Sequence, residues 1–344
     1  MVSITGDRLL LNWLFVVAMM VASMIVIGGV TRITGSGLSM VEWRPLVGWL
    51  PPFSEKEWNR IFDLYQRSPQ FVLVNAWMDL EAFKDIFWWE YIHRLWGRLI
   101  GIVFILPLVA FWILGRIPSG HARRLIMLLV LGAAQGVVGW WMVLSGLSQE
   151  PSVSQYRLAL HLGIAFLILG ILVWTILGFV TINLDVSCGY MVLHAKTVVI
   201  SISATIIAGS LVAGMDAGLT YNTFPLMDGG VVPKGYFSIS PYWKNIFENA
   251  GAVQFNHRVS AAITVLLTVS LLVRCLLKRL PVQQRMVLHI LAGLVLLQFA
   301  LGISTLINFV PAFLAIIHQL MAICLFVNSL LAVWVLKGAS NTSY

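Results

Sequence analysis

Long apolar stretches recur along almost the whole chain, each close to the roughly 20 residues that a helix needs to cross a bilayer. Eight can be read, at about 11–30, 95–114, 124–144, 158–180, 190–213, 257–275, 287–307 and 313–336. They are continuously apolar rather than alternating, which predicts spanning helices and not barrel strands. Two long polar connections, 31–92 and 214–256, interrupt the series after the first and fifth runs. Within the first, Ser54-Glu55-Lys56-Glu57 is a capping box. Trp58, Ile61, Phe62 and Tyr65 then share one helical face. That pattern predicts an amphipathic helix, either flat on the outer leaflet with its tryptophan at headgroup depth or packed on protein.

Composition strengthens this picture. Of 344 residues, 59% are hydrophobic and only 10% charged, against about a quarter charged in a soluble domain. The net charge of +8 does not gather into a nucleic-acid patch but sits at helix ends. Short connections carrying Arg116, Arg123 and Arg124, and Arg274, Lys278, Arg279 and Arg285, mark the cytoplasmic side. Arg8 and Lys337 place both termini there too, as an even helix count requires. The first apolar run lacks a cleavage site and a mitochondrial presequence, so a multi-pass protein of a bacterial inner membrane is expected. Cys188, Cys275 and Cys324 are scattered and form no CxxC, so they read as small buried hydrophobes.

The chain repeats itself. Gln135-Gly136-Val137-Val138-Gly139 corresponds to Gln298-Phe299-Ala300-Leu301-Gly302, His93-Arg94 to His257-Arg258, and Leu160-His161-Leu162 to Ile317-His318-Gln319. Thr34 to Ser39 likewise corresponds to Met215 to Thr220. Four matches in one order predict an all-α membrane protein of two pseudo-symmetric four-helix bundles, 1–183 and 184–344, related by an axis along the membrane normal.

Seven histidines divide by side. His93, His161, His257 and His318 fall near the outer ends of even-numbered spans; His121, His194 and His289 fall on the inner side. One histidine on an apolar helix is most simply a hydrogen-bonded packing residue, but four at matched depth, two per repeat, point to a bound metal or cofactor. Facing imidazoles across a bundle can supply both axial ligands of a haem iron, whereas bare zinc or copper would need further ligands. Arg94, Arg98 and Arg258 stand beside them, suited to propionate carboxylates or simply to lipid headgroups. Gly136, Gly139 and Gly302 let helices approach one another or a flat macrocycle.

The halves differ at two informative places. Glu90 stands one turn before His93, where the second half has Gln254, and Arg32 corresponds to Ala213. The first half thus holds a proton-transferring group beside its histidines, which reads as one reactive site and one redox or structural site. The alternative is that Glu90 merely pairs with Arg94.

At these residues the sequence resembles the haem A synthase family. The resemblance is carried by Gly28-Gly29-Val30-Thr31-Arg32-Ile33-Thr34-Gly35-Ser36-Gly37-Leu38-Ser39, Glu90-Tyr91-Ile92-His93-Arg94, Leu160-His161-Leu162-Gly163, Gln254-Phe255-Asn256-His257-Arg258 and Ile317-His318-Gln319. It covers essentially the whole chain and looks like the alphaproteobacterial and mitochondrial form, because 31–92 lacks the loop cysteine pair of the Gram-positive branch. It implies that His257 and His318, with Arg258 beside them, hold a resident haem b. It implies that His93 and His161, with Arg94, Arg98 and Arg32, receive haem O, whose C8 methyl is oxidised twice, through a hydroxymethyl group, to the formyl of haem A. Glu90 is then the candidate catalytic residue. Expected partners are membrane lipid, haem O synthase and oxidase assembly factors, with a homo-oligomer left open. Two rivals remain at this point: a di-haem transmembrane b-type cytochrome, which could use His194 and His289, and a transporter, which would want charged groups at mid-membrane depth.

Overall fold

The computed structural model describes residues 2–4, 7–44, 48–148, 150–182 and 189–338. Its helices, in chain order, are α1 (Arg8–Ile33), α2 (Glu55–Gln66), α3 (Leu80–Ile113), α4 (Ala122–Gly146), α5 (Gln155–Leu177), α6 (Gly189–Gly214), α7 (Asn245–Glu248), α8 (Ala250–Leu277), α9 (Val282–Ile307) and α10 (Ala312–Lys337). Eight of these, all but α2 and α7, are long and apolar enough to span a membrane. Two three-residue strands, β1 (Val2–Ile4) and β2 (Val180–Ile182), pair antiparallel. Side-chain caps set several starts: Asp7, Asp79 and Asn249 accept from the amides of Leu9, Ala82 and Ala252.

The connections alternate in side. The β1–β2 pair and the Asp7–Arg116 ion pair (2.5 Å) hold the start of α1, the α3–α4 connection and the end of α5 on one face. Arg32–Asp216 (2.8 Å) and Tyr156–Glu248 (2.9 Å) join the end of α1, the start of α5, the end of α6 and the approach to α8 on the other. Within the first set of spans α1 packs on α3 and α5, and α4 on α5; within the second, α6 packs on α8 and α10, and α9 on α8 and α10. The sets meet where α5 lies along α6 and, over a shorter stretch, where α1 lies along α10. The expected boundary between 183 and 184 falls outside the described residues, as does Cys188.

Two expectations are corrected. The second span begins at Leu80, not near 95. Its early turns carry Glu81, Lys84, Asp85 and Glu90, which break the apolar run, yet they present Phe83, Ile86, Phe87 and Tyr91 along one side. That side buries against Trp58, Ile61, Phe62 and Tyr65 of α2. The amphipathic helix is therefore packed on protein, on the part of α3 that rises out of the apolar layer. Of the cysteines, Cys275 is buried as expected, but Cys324 is exposed, on a face whose natural solvent is lipid.

Pro107 sits inside α3. Lacking an N–H, it leaves the carbonyl of Val103 without its i→i−4 donor. The indole N–H of Trp13, on α1, donates to that carbonyl at 2.7 Å. In lipid no water could do so. Trp13→Phe keeps the packing against Phe104 and Phe111 but orphans the carbonyl, and should cost about 1–3 kcal/mol. A thermal or denaturant titration of the purified protein checks this; unchanged stability would mean that the carbonyl is satisfied otherwise.

Candidate functional site

Four glycines bring the four outer histidines to their places. A side chain begun at Gly139 of α4 would meet His161 Cε1 at 2.9 Å, one at Gly209 of α6 would meet His257 Cε1 at 2.9 Å, and one at Gly302 of α9 would meet His318 Cε1 at 3.0 Å. At Gly28 of α1 it would meet His93 Nε2 at 3.5 Å. Each imidazole thus lies against the bare backbone of a neighbouring helix. His93 and His161 are near enough to interact electrostatically, and so are His257 and His318. The structure thus brings the members of each sequence-expected pair into the same neighbourhood, one pair in each set of spans. Gly139 and Gly302 were read as approach points; Gly28 and Gly209 were not, although the correspondence of Arg32 with Ala213 places them at matching positions too. Gly136 has nothing within 4 Å of such a side chain.

The pairs are incompletely satisfied. Gln135 donates to the His161 carbonyl at 2.9 Å and lies 3.5 Å from its Nε2, and Gln298 lies 3.4 Å from His318 Nε2. Yet the Nδ1 atoms of His161, His257 and His318, and the side-chain oxygens of Gln135 and Gln298, are buried without a hydrogen-bond partner. Buried polar atoms are ordinarily paired, so such a cluster marks a site that a ligand completes. Among the described residues no three His, Cys, Asp or Glu side chains gather to hold a bare metal ion. Two imidazoles per site, with backbone cleared beside each, suit a flat macrocycle whose own nitrogens fill the remaining positions of the iron.

Of the other three histidines, His194 keeps a buried Nδ1 and His121 two buried ring nitrogens without a hydrogen-bond partner, but among the described residues none of the three pairs with another histidine across helices. His194 Nε2 donates to the Leu267 carbonyl at 3.0 Å, and His289 Nδ1 to the Arg285 carbonyl one turn back at 2.7 Å. His121 precedes α4 and lies against Phe179; desolvation holds its imidazole below the usual range.

The arginines have protein partners. Arg94 donates to Glu90 (2.6 Å) and to the carbonyls of Glu42 (2.9 Å) and Met40 (2.8 Å). Arg258 donates to the carbonyls of Thr223 and Tyr221 (2.9 Å each) and to Gln254 (3.1 Å). Each therefore straps an outer connection down over its histidine pair. Arg98 donates to the Arg44 carbonyl at 2.9 Å and stands over Trp49. Arg32 is bound to Asp216 and the Ala213 carbonyl. Arg258 and Arg32 each keep a buried Nε with no partner, whereas all three Arg94 nitrogens are engaged.

Glu90 is buried, at 4% exposure, and pairs with Arg94, as the plainer reading anticipated. Its counterpart does something that a carboxylate cannot: Gln254 donates its amide to the carbonyls of Ala217 (2.9 Å) and Tyr221 (3.1 Å). Trp140 carried no sequence signal. It stacks on Trp43 of the outer connection, centroids 5.5 Å apart, with Arg94 over its ring. A cavity of about 110 Å³ opens above, lined by Glu42, Arg44, Glu57, Arg60, Arg94 and Arg98.

Fold and site together define a class: a multi-pass helical membrane protein with one incompletely satisfied histidine pair in each of two sets of four spans. The sequence comparisons agree on a narrower answer. The model of the COX15-CtaA family, cytochrome oxidase assembly proteins, matches residues 11–330, and the chain belongs to that family. It is 44% identical over 318 residues to the heme A synthase of Brucella anthropi, covering 92% of this chain and 88% of the relative. Identity to the heme A synthase of Granulibacter bethesdensis is 44% over 97% of this chain and 89% of that protein. For that of Maricaulis maris it is 43% over 98% of both.

Two outcomes follow from this geometry. Gly139→Ala must displace His161, while Gly136→Ala meets nothing. The first should therefore weaken haem uptake, read as Soret absorbance per protein, and the second should leave it intact; equal uptake would show that Gly139 does not set the imidazole. The second outcome concerns Arg60, whose hydrogen bonds hold the carboxyls of Glu42 and Glu57 below the usual range. With a depressed folded pKa, this network contributes stability above the ordinary value of 4.5 and loses it as pH falls through the depressed one. The protection of α2 amides, taken relative to the intrinsic exchange rate at each pH, should hold from neutral pH down to that range and fall below it; unchanged protection would remove the carboxylates from the account.

Proposed function

We propose that the chain is a haem A synthase, oxidising the C8 methyl of haem O to the formyl group of haem A for cytochrome oxidase maturation. The observation that carries the reading is the pair of unequal sites: two histidine pairs of one design, with a buried carboxylate beside only one. In this reading His257 and His318 hold a resident haem b, and Arg258 Nε is the donor left for a propionate. Such a haem supplies a one-electron acceptor. His93 and His161 bind haem O and orient its macrocycle. Arg94, Arg98 and Arg32 fix the outer edge of that site, by holding the connections that exclude water and through the Arg32 Nε still unpaired. The halves 1–183 and 184–344 are then a substrate unit and a redox unit. The charge pattern supports a topology with both termini in the cytoplasm of a bacterium and both sites toward the outer face of its inner membrane. Haem O synthase and oxidase assembly factors are the partners expected to deliver substrate and take product.

Glu90 is assigned as the group that accepts or relays the proton released as the methyl is oxidised. Arg94 holds its carboxyl group in place at 2.6 Å, one turn from His93. Glu90→Gln is a clean test, because Gln254 shows that an amide in this place still accepts from its arginine. Turnover of haem O should fall about a hundredfold while haem content stays normal; conversion at the wild-type rate would exclude the role. Extraction of haems from the purified protein tests the wider reading. Haem B together with haem O or A supports it, and two haem B per chain would instead indicate an electron-carrying cytochrome.

A further inference from the structure

Gln319 follows His318 directly on α10, and neither histidine pair uses its side chain. It turns away to α1. There Nε2 donates to the carbonyl of Ile25 at 2.7 Å, and the amide lies against Gly29 where any larger residue would place its side chain. The next residue, Gly28, is the one that lies against His93. A short run of contacts thus leads from His318, through Gln319 and one turn of α1, to His93 in the other set of spans.

The second junction between the sets has no such link. In the sequence correspondence Gln319 answers to Leu162, and Gly29 to Ser210, whose hydroxyl donates back within its own helix to Ile207 at 2.6 Å. That junction, α5 against α6, is the more extensive. An amide carried into an apolar interface is unfavourable unless bonded, and two apolar side chains would have closed the shorter junction as well. A glutamine there, with a glycine cleared to admit it, therefore implies a purpose beyond adhesion.

We infer that Gln319 is a positioning residue: by locking α10 to α1 it sets the approach of the two histidine pairs for electron exchange between the haems they hold. The inference rests on the proposed function, in which both pairs carry haem. With both groups bound, such an exchange would move one electron between them, one being oxidised as the other is reduced. No bond forms or breaks, and the Gln319 amide keeps its protons.

The test uses the full chain with haem A, distinguishable by its formyl-shifted absorbance, in the first site and haem b in the second. An electron is injected by a flash-reduced flavin and its redistribution between the two bands followed. Gln319→Leu removes the amide, and Gly29→Ala leaves it present but forces it off Ile25. Each should keep two haems per chain and slow redistribution about tenfold. The double variant should be no slower than either single one, since both cut the same contact. Wild-type rates with both haems retained would overturn the inference, as would a double variant slowed by the product of the two. Should Gln319→Leu fail to fold, Gly29→Ala alone decides by the same criterion. A wild-type protein that holds fewer than two haems would overturn the functional reading itself, and with it this one.

Discussion

A bilayer interior provides no water to satisfy a stranded hydrogen-bonding group, and this constraint decides what each polar residue in the eight spans can mean. Most are answered within the protein. The carbonyl freed by Pro107 receives Trp13; Gln284 of α9 donates to the Val335 carbonyl of α10 at 2.9 Å; Ser201, Thr205 and Thr264 bond to one another across α6 and α8. Against that background the atoms left over are informative. They are scattered, at Thr268 and Asn328 among others, but among the described residues only at His161 with Gln135 and at His318 with Gln298 do a histidine and an adjacent glutamine both keep such an atom, and this is why the pairs read as a place for a ligand.

The same constraint explains the outer straps. Irregular backbone packed against buried side chains needs donors, and an arginine one turn along from a hydrogen-bonding residue supplies several in fixed geometry. Arg94 and Arg258 do this on corresponding connections. The two straps diverge in the side chain that each arginine grips, Glu90 in one and Gln254 in the other. Gln254 both accepts from Arg258 and donates to two carbonyls, so it is fully occupied as a fastener. Glu90 can only accept, and so gives up those donations. A carboxylate there is the poorer fastener, and its presence needs a reason beyond holding the loop.

Much of this was legible before any coordinates. Hydropathy gave the eight spans because each is long and apolar, and the repeat gave the histidine pairs because four identities recur in order. What escaped did so for physical reasons. The early turns of α3 carry Glu81, Lys84 and Asp85 and so fall below any apolar threshold, although Phe83 and Phe87 fix them firmly to α2. The tie between Trp13 and Val103 depends on two helices far apart in sequence. Gly28 and Gly209 were written in the repeat, but a glycine on a helix marks close approach without saying to what. Trp140 has no counterpart in the second half, where Ile303 stands, and only its stack with Trp43 gives it meaning.

The two sites share a histidine pair with a glycine beside each member and differ in the carboxylate beside one of them. In the proposed reading one takes a substrate and the other a resident group, which requires a fixed relation between the two sets of spans. The junction of α5 with α6 is the broader of the two and is flanked by the Tyr156–Glu248 hydrogen bond. The narrower junction of α1 with α10 contains the Gly28–Gly29 pair, one glycine turned to His93 and the other to Gln319. Adjacent positions on one helix thus serve both sites at once, so any movement of α1 that adjusts His93 must also be felt beside His318. That shared turn of helix is where a protein built from two similar bundles becomes one machine.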